Sequence, residues 1–268
     1  MPFLFSHENL NFHYRDTGSG TPFFFQHGLG GDVNQPFGLF RPPDGIRLIA
    51  FDARGHGETR PLGPLEKINI ASFADDLLAL MNHLQLPQAI VGGISMGAAI
   101  TLNFTLRFPG RVLGLVLSRP AWLDRPFPQN VAIFSEIARL IRGHGAKQGK
   151  EIFQQSLVYQ KLRAEFPDTA NSLSTQFDHP RAEETVAKLE RIPNDAPVDS
   201  LEELSGIRSP TLVLANKQDP IHPFEFGEIL AQAIPATEFR ELTSKSISLE
   251  RHEAEVQTFL TEFFQRHF

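Results

Sequence analysis

One serine is placed to act as a nucleophile. Ser95 is the centre of Gly93-Ile94-Ser95-Met96-Gly97, between an apolar run that ends at Val91 and a helical pattern that begins near Met96. A Gly-x-Ser-x-Gly sequence between a strand and a helix is typical of a sharp turn that exposes the serine hydroxyl, and glycine on either side avoids a collision of side chains. The same residues also fit a tight strand-to-helix connection with a capping serine. The motif alone leaves both interpretations open.

A serine hydroxyl becomes a good nucleophile when a histidine accepts its proton and a carboxylate orients that histidine. Asp219 stands in the loop that follows the apolar run 211–215, and His252 stands just before a predicted terminal helix over 253–268. The order serine, aspartate, histidine along the chain accompanies this type of turn in α/β enzymes. We therefore predict Ser95 as nucleophile, Asp219 as the orienting acid and His252 as the base.

A negative charge on the substrate oxygen requires hydrogen-bond donors, which are backbone amides in this kind of site. One donor belongs to the residue after the nucleophile, Met96. The other comes from a loop after the first buried strand, and Gln26-His27-Gly28-Leu29-Gly30-Gly31-Asp32 is such a loop. We predict that the amides of Leu29 and Met96 form the oxyanion hole.

The elements that must position these residues alternate between strand and helix patterns. Short apolar runs at 23–25, 47–51, 89–91 and 112–117 predict buried strands, and 72–84 and 96–108 have helical spacing. The alternation resumes over 211–268. This rhythm predicts a mostly parallel sheet of the α/β class with helices on both faces, and ligands beyond the carboxyl ends of its strands.

The segment 119–206 interrupts this rhythm. It begins with prolines at 120, 126 and 128 and continues with helical patterns and no β-rich run. We therefore predict an α/β core formed by residues 1–118 and 207–268, with 119–206 as a helical cap over the sheet.

The composition excludes several classes of protein. Of 268 residues, 41% are hydrophobic and 21% are charged, which is an ordinary globular balance. The net charge is −6 and no run of Lys and Arg occurs, so we expect no nucleic-acid partner. Cysteine is absent and no two histidines are four residues apart, so neither a thiolate nor a helix-borne zinc site is expected. We expect no metal and no cofactor.

The sequence offers no apolar run of membrane-spanning length and no basic, apolar leader at its start. We therefore expect a cytoplasmic protein without a membrane partner. The expected partner is a small-molecule substrate, and homo-oligomer formation stays open.

Five segments in family order carry a resemblance that spans nearly the whole chain: QHGLGGD at 26–32, FDARGHGET at 51–59, GGISMGAA at 92–99, NKQDPIHP at 216–223 and RHEAEVQTFLTEFF at 251–264. The chain resembles α/β-hydrolase-fold proteins of the esterase and lactonase type. Their fold is a mostly parallel eight-stranded sheet flanked by helices, with a helical cap where this chain has 119–206.

The resemblance implies the same catalytic residues, namely Ser95, Asp219 and His252, with Leu29 and Met96 as oxyanion donors. The sequence departs from the family pattern in having Arg251 instead of glycine before His252. The resemblance also leaves Asp124 as an alternative acid, because some relatives place it after the strand at 112–117.

We therefore predict a hydrolase that cleaves a small to medium, largely apolar carboxylic ester or lactone through an acyl-enzyme. Alternatives with the same fold are perhydrolysis, C–C bond hydrolysis, acyl transfer, or a receptor that binds a small ligand without turnover. Arg119 and Trp122 are candidate substrate contacts. Arg119, at the end of a central strand, is interpreted either as a structural ion pair or as a clamp for a substrate carboxylate.

Overall fold

A single eight-stranded sheet organises the chain. The structure, a computed structural model, describes residues 3–268. The strands are β1 (Phe3–His7), β2 (Leu10–Thr17), β3 (Thr21–Gln26), β4 (Ile46–Phe51), β5 (Ala89–Ile94), β6 (Val112–Ser118), β7 (Thr211–Ala215) and β8 (Thr237–Glu241). Their order in the sheet is β1-β2-β4-β3-β5-β6-β7-β8. Strands β1, β2 and β4 pair antiparallel and all other neighbours pair parallel. The predicted fold class is confirmed.

Helices cover both faces of this sheet. They are α1 (Asn34–Leu39), α2 (Ile70–His83), α3 (Met96–Arg107), α4 (Ala132–Gln155), α5 (Leu157–Glu165), α6 (Pro167–Ser174), α7 (Ala187–Arg191), α8 (Phe224–Ala233) and α9 (Leu249–His267). Short 3-10 turns occupy Leu65–Lys67, Pro109–Arg111, Gln129–Val131, Thr175–Asp178, Ile192–Asn194 and Leu201–Gly206. Within residues 3–268, no helix is both long and apolar enough to cross a bilayer.

The core divides between the two faces of the sheet because successive side chains of a strand point in opposite directions. Phe24 of β3 belongs to the cluster that includes Phe73 of α2 and Ile100 of α3. Its neighbours Phe23 and Phe25 belong to a second cluster, which α9 completes on the other face with Val256, Leu260 and other apolar side chains. The run of three phenylalanines is thus buried on both sides, as its continuous apolar character predicts.

Residues between β6 and β7 form helices and turns without a strand, and they pack on the first of these clusters through Phe134 and Ile137. Polar contacts add to this packing. Lys188 Nζ donates to the Gly55 carbonyl (2.9 Å), and Arg181 Nη1 donates to the Thr59 carbonyl (2.9 Å). The boundaries of the predicted cap at 119 and 206 stay a prediction. The segment in which no leader sequence is expected starts with Met1 and Pro2, and these two residues lie outside the described part of the chain.

Candidate active site

Ser95 occupies a sharp turn between β5 and α3. Its backbone has φ 56° and ψ −111°, a region that L residues rarely adopt, which indicates local strain. A Cβ atom at Gly93 would lie 2.1 Å from the carbonyl carbon of Gly97, and one at Gly97 would lie 2.3 Å from the Gln26 oxygen. Only glycine fits these two positions, so β5, α3 and the end of β3 can approach closely enough to form the turn.

The loop after β3 lies against this serine. A Cβ at Gly28 would stand 3.4 Å from Ser95 Cβ, and the Gly28 amide donates to Gln35 Oε1 (2.7 Å). The amides of Leu29 and Met96 donate to no residue among positions 3–268. Both donors therefore remain available near the serine, and their role as an oxyanion hole stays a prediction.

A cavity of about 120 Å³ opens above the carboxyl edge of the sheet. Its lining includes Ser95, Arg119, His222 and Lys245, each from the connection that follows one of the adjacent strands β5 to β8. The helical segment contributes further side chains, among them Phe134, Asp168, Thr169 and Ser172. The lining is mostly polar, which does not match the largely apolar ester or lactone expected from the sequence.

Asp219 is held as a charged carboxylate. Its Oδ2 accepts from Arg119 Nε (3.0 Å) and Nη2 (2.6 Å) and bonds His222 Nδ1 (2.9 Å). Its Oδ1 accepts from the amides of Ile221 and His222, both at 3.2 Å. Burial raises the pKa of Asp219, but the charge of Arg119 and the hydrogen bonds from Arg119 and His222 outweigh burial and hold that pKa well below its usual range.

The histidine beside this acid is His222. Burial lowers the pKa of His222, and the Asp219 charge opposes part of that effect. In the neutral ring, Nδ1 faces a carboxylate and therefore carries the proton, which leaves Nε2 as the unprotonated nitrogen. No residue of the described range hydrogen-bonds Nε2. Because His222 lines the same cavity as Ser95, it has the surroundings of a general base.

His252 is not brought to Asp219, so the contact predicted between them is wrong. Its Nδ1 bonds the Thr243 carbonyl (2.8 Å), and the side chain is absent from the cavity lining in the described chain. The cause is local: the Ser248 hydroxyl accepts from the Arg251 amide and starts α9 at Leu249, so His252 lies inside the helix instead of before it. The residue is 1% exposed, and burial lowers its pKa to about 4.

The other candidates fall in different places. Arg119 lines the cavity while paired with Asp219, which fits the structural ion pair. Trp122 is 2% exposed in the apolar core and is not part of the cavity lining. Asp124 makes no hydrogen bond or ion pair with any described residue, whereas Asp219 has the histidine.

His222 and Lys245 were not predicted from the sequence. His222 stands only three residues after Asp219, inside the segment NKQDPIHP, and Lys245 lies in the connection between β8 and α9. The available signal for His222 was the Asp-x-x-His spacing, because an aspartate in a turn accepts from backbone amides a few residues later and thereby holds those residues beside it. No described group of three or more His, Cys, Asp or Glu side chains is arranged to hold a metal.

Comparison with known proteins agrees with this architecture. A family profile described as alpha/beta hydrolase fold matches residues 21–250. The chain is 28% identical over 251 residues to the AB hydrolase superfamily protein YisY of Bacillus subtilis, covering 88% of each chain. It is 25% identical over 262 residues to 3-oxoadipate enol-lactonase 2 of Acinetobacter baylyi, covering 88% of this chain and 91% of the other. A solved esterase from Thermogutta terrifontis superposes with a TM-score of 0.75 at 23% identity over 100% of both chains.

Proposed function

Because this chain belongs to the α/β-hydrolase family, we propose that it is a serine hydrolase of small carboxylic esters or lactones. Ser95 is the nucleophile, His222 the general base and Asp219 the carboxylate that orients the base. One observation carries this assignment: His222, whose Nδ1 bonds Asp219 at 2.9 Å, lines the same cavity as Ser95. A serine, a histidine and an acid in these relative roles define a triad whatever their spacing in the chain.

In the proposed reaction, Ser95 Oγ attacks the ester carbonyl as His222 Nε2 takes the hydroxyl proton. A new C–O bond forms, and the carbonyl electron pair moves to an oxyanion that accepts from the amides of Leu29 and Met96. The C–O bond to the alcohol then breaks, and His222 returns the proton to the leaving oxygen. A water molecule deprotonated by His222 releases the acyl group in the same way and restores Ser95.

The choice of esters and lactones rests on two supports. The relative from Acinetobacter baylyi is named as an enol-lactonase, and an activated serine suits acyl transfer. The cavity of about 120 Å³ favours a small substrate.

We also propose that 119–206 acts as a cap, because side chains such as Phe134 and Thr169 of this segment line the cavity. A cap of this kind restricts which substrates enter and limits access of water.

A fluorophosphonate probe tests the activated nucleophile. We expect the native protein to be labelled at Ser95, located by peptide mass spectrometry, and Ser95→Ala to lose both the label and the hydrolysis of short esters. The matched control is Ser172→Ala, since Ser172 is a second serine of the same cavity and has no assigned role. Labelling at Ser172, or equal labelling of native and heat-denatured protein, would contradict the assignment.

The pH dependence follows from the direction of the His222 pKa. Activity requires the neutral imidazole, so kcat/KM falls as pH decreases through the pKa of the free enzyme. Burial lowers that pKa below its ordinary value of 6.5. For a neutral ester, we expect a constant kcat/KM near pH 7 and an acidic limb with its midpoint below 6.5. A midpoint above 7 would point to a different base.

A further inference from the structure

A lysine faces the reaction cavity beside the proposed nucleophile. Lys245 is half-buried, and its side chain lines the same cavity as Ser95 and His222. It lies beyond the carboxyl end of β8, next to the strand whose loop carries Asp219. The proposed acyl-transfer reaction gives Lys245 no role.

The segment that carries Lys245 is fixed on both sides. Before it, Thr243 donates its amide (2.5 Å) and its hydroxyl (2.9 Å) to the Glu255 carboxylate, and its carbonyl bonds His252 Nδ1. The adjacent Ser244 donates to the Gln218 carbonyl (3.3 Å), and its own carbonyl accepts from the Ile247 amide (2.9 Å). The backbone that presents Lys245 is thus attached to α9 and to the loop after β7.

Among the described residues, the ammonium of Lys245 has no carboxylate in direct ion-pair contact. Arg119 is neutralised by Asp219, with 2.6 Å between Nη2 and Oδ2. Within residues 3–268, no carboxylate lies within 4.0 Å of Lys245 Nζ. Asp168 is the one acidic side chain in the described lining, and it stands beyond that distance. Burial lowers the pKa of Lys245 and the like charge of Arg119 lowers it further, while the more distant charges of Asp168, Glu253 and Asp219 oppose part of that shift.

A partly buried cation without a partner is unfavourable, and an anion placed beside it removes part of that cost. We propose that Lys245 binds a carboxylate on the substrate, so that the enzyme prefers esters or lactones whose short acyl part carries a second, ionised carboxyl group. This inference rests on the proposed function. The small cavity, which holds both Ser95 and Lys245, limits the acyl part to a short chain between the ester carbonyl and the carboxylate.

Two esters of equal size test this preference in the full-length protein. Monoethyl succinate carries a carboxylate, and ethyl succinamate replaces it with a neutral amide of the same shape. We expect Lys245→Met to lower the ratio of kcat/KM for the acid to kcat/KM for the amide by about 10- to 100-fold, mainly through KM, because a hydrogen bond to a charged group contributes an energy equivalent to this factor.

Three further variants sharpen the measurement. Lys245→Arg retains the positive charge and is expected to keep the ratio within about threefold of wild type. Asp168→Asn removes a negative charge from the cavity and is expected to raise the ratio. Lys147→Met, which removes an exposed lysine of α4, leaves the ratio unchanged and controls for net charge.

The outcomes separate this inference from the proposed function. If wild type hydrolyses both esters and Lys245→Met leaves the ratio unchanged, or lowers both rates equally, carboxylate binding by Lys245 is overturned and the serine hydrolase stands. If wild type hydrolyses neither ester, the proposed function fails, and calorimetric titration with succinate then decides the inference. A Kd at least tenfold weaker in Lys245→Met supports it, and an equal Kd overturns it.

Discussion

Replacing His222 by asparagine is expected to lower kcat by about 10⁶-fold, whereas the same change at His252 leaves kcat within about tenfold of wild type. An asparagine amide can take the place of the ring Nδ1–H but has no counterpart of Nε2. His222→Asn therefore keeps a donor for Asp219 and loses the nitrogen proposed to accept the serine proton. His252→Asn keeps a donor for the Thr243 carbonyl, which is the one hydrogen bond of its ring among the described residues.

The pair of variants is its own control, because each deletes the same part of a buried ring. Both are expected to lose some stability through the cavity left behind, about 1–3 kcal/mol, so activity is measured well below each variant's Tm. Steady-state kcat on a short neutral ester is the readout. If His252→Asn were the inactive variant and His222→Asn the active one, the base would have to be reassigned to His252.

Local sequence signals were sufficient to place Ser95 and Asp219, but not to choose between the two histidines. Ser95 could be placed because its strand, its turn and its glycines are all local signals within a few residues. Asp219 could be placed because it follows a buried strand, and parallel strands end at a common edge. Both side chains are at the positions in the fold that their strands predict.

The histidine that pairs with Asp219 could not be chosen in this way, because the position of His252 depends on where one helix starts. If α9 began at Glu253, His252 would stand in the preceding loop; with the Ser248 cap, it lies in the first turns of the helix and bonds backwards to Thr243. Helix ends are set by caps and by tertiary contacts, and periodicity places them only to within a few residues. The position of His222, by contrast, is set by a local turn with Asp219. That turn could not be distinguished from an ordinary loop in the sequence.

The arrangement of charged side chains around the cavity could not be predicted from the sequence either. Arg119 and Lys245 are 126 positions apart, and only the order of strands β6, β7 and β8 brings them to one cavity. Sequence position left Arg119 as either a structural ion pair or a carboxylate clamp, and the structure pairs its guanidinium with Asp219. Which of two cations remains free for a ligand depends on distances between side chains, and these are fixed by packing across the sheet.

The second large effect is expected at Gly97, where alanine should lower kcat by at least about 10³-fold. Its Cβ would lie 2.3 Å from the Gln26 oxygen and 2.8 Å from the His27 oxygen, so backbone must move. The loop to Leu29 leaves from β3, and Met96 begins α3, so a separation of these elements moves the two proposed oxyanion donors apart. Loss of one such donor typically costs about 10²- to 10³-fold. Overpacking is also expected to lower the free energy of unfolding by about 3 kcal/mol.

Two variants show whether this loss comes from the turn itself. Gly110→Ala places the same methyl group where no atom lies within 4 Å, so its kcat and Tm should match wild type. Met96→Leu changes a buried side chain of similar volume while its backbone amide stays, so we expect kcat within about threefold of wild type. If Met96→Leu lost as much activity as Gly97→Ala at equal folded fraction, the methionine side chain rather than the backbone would support catalysis. That result would contradict the proposal that residue 96 contributes to catalysis through its backbone amide alone.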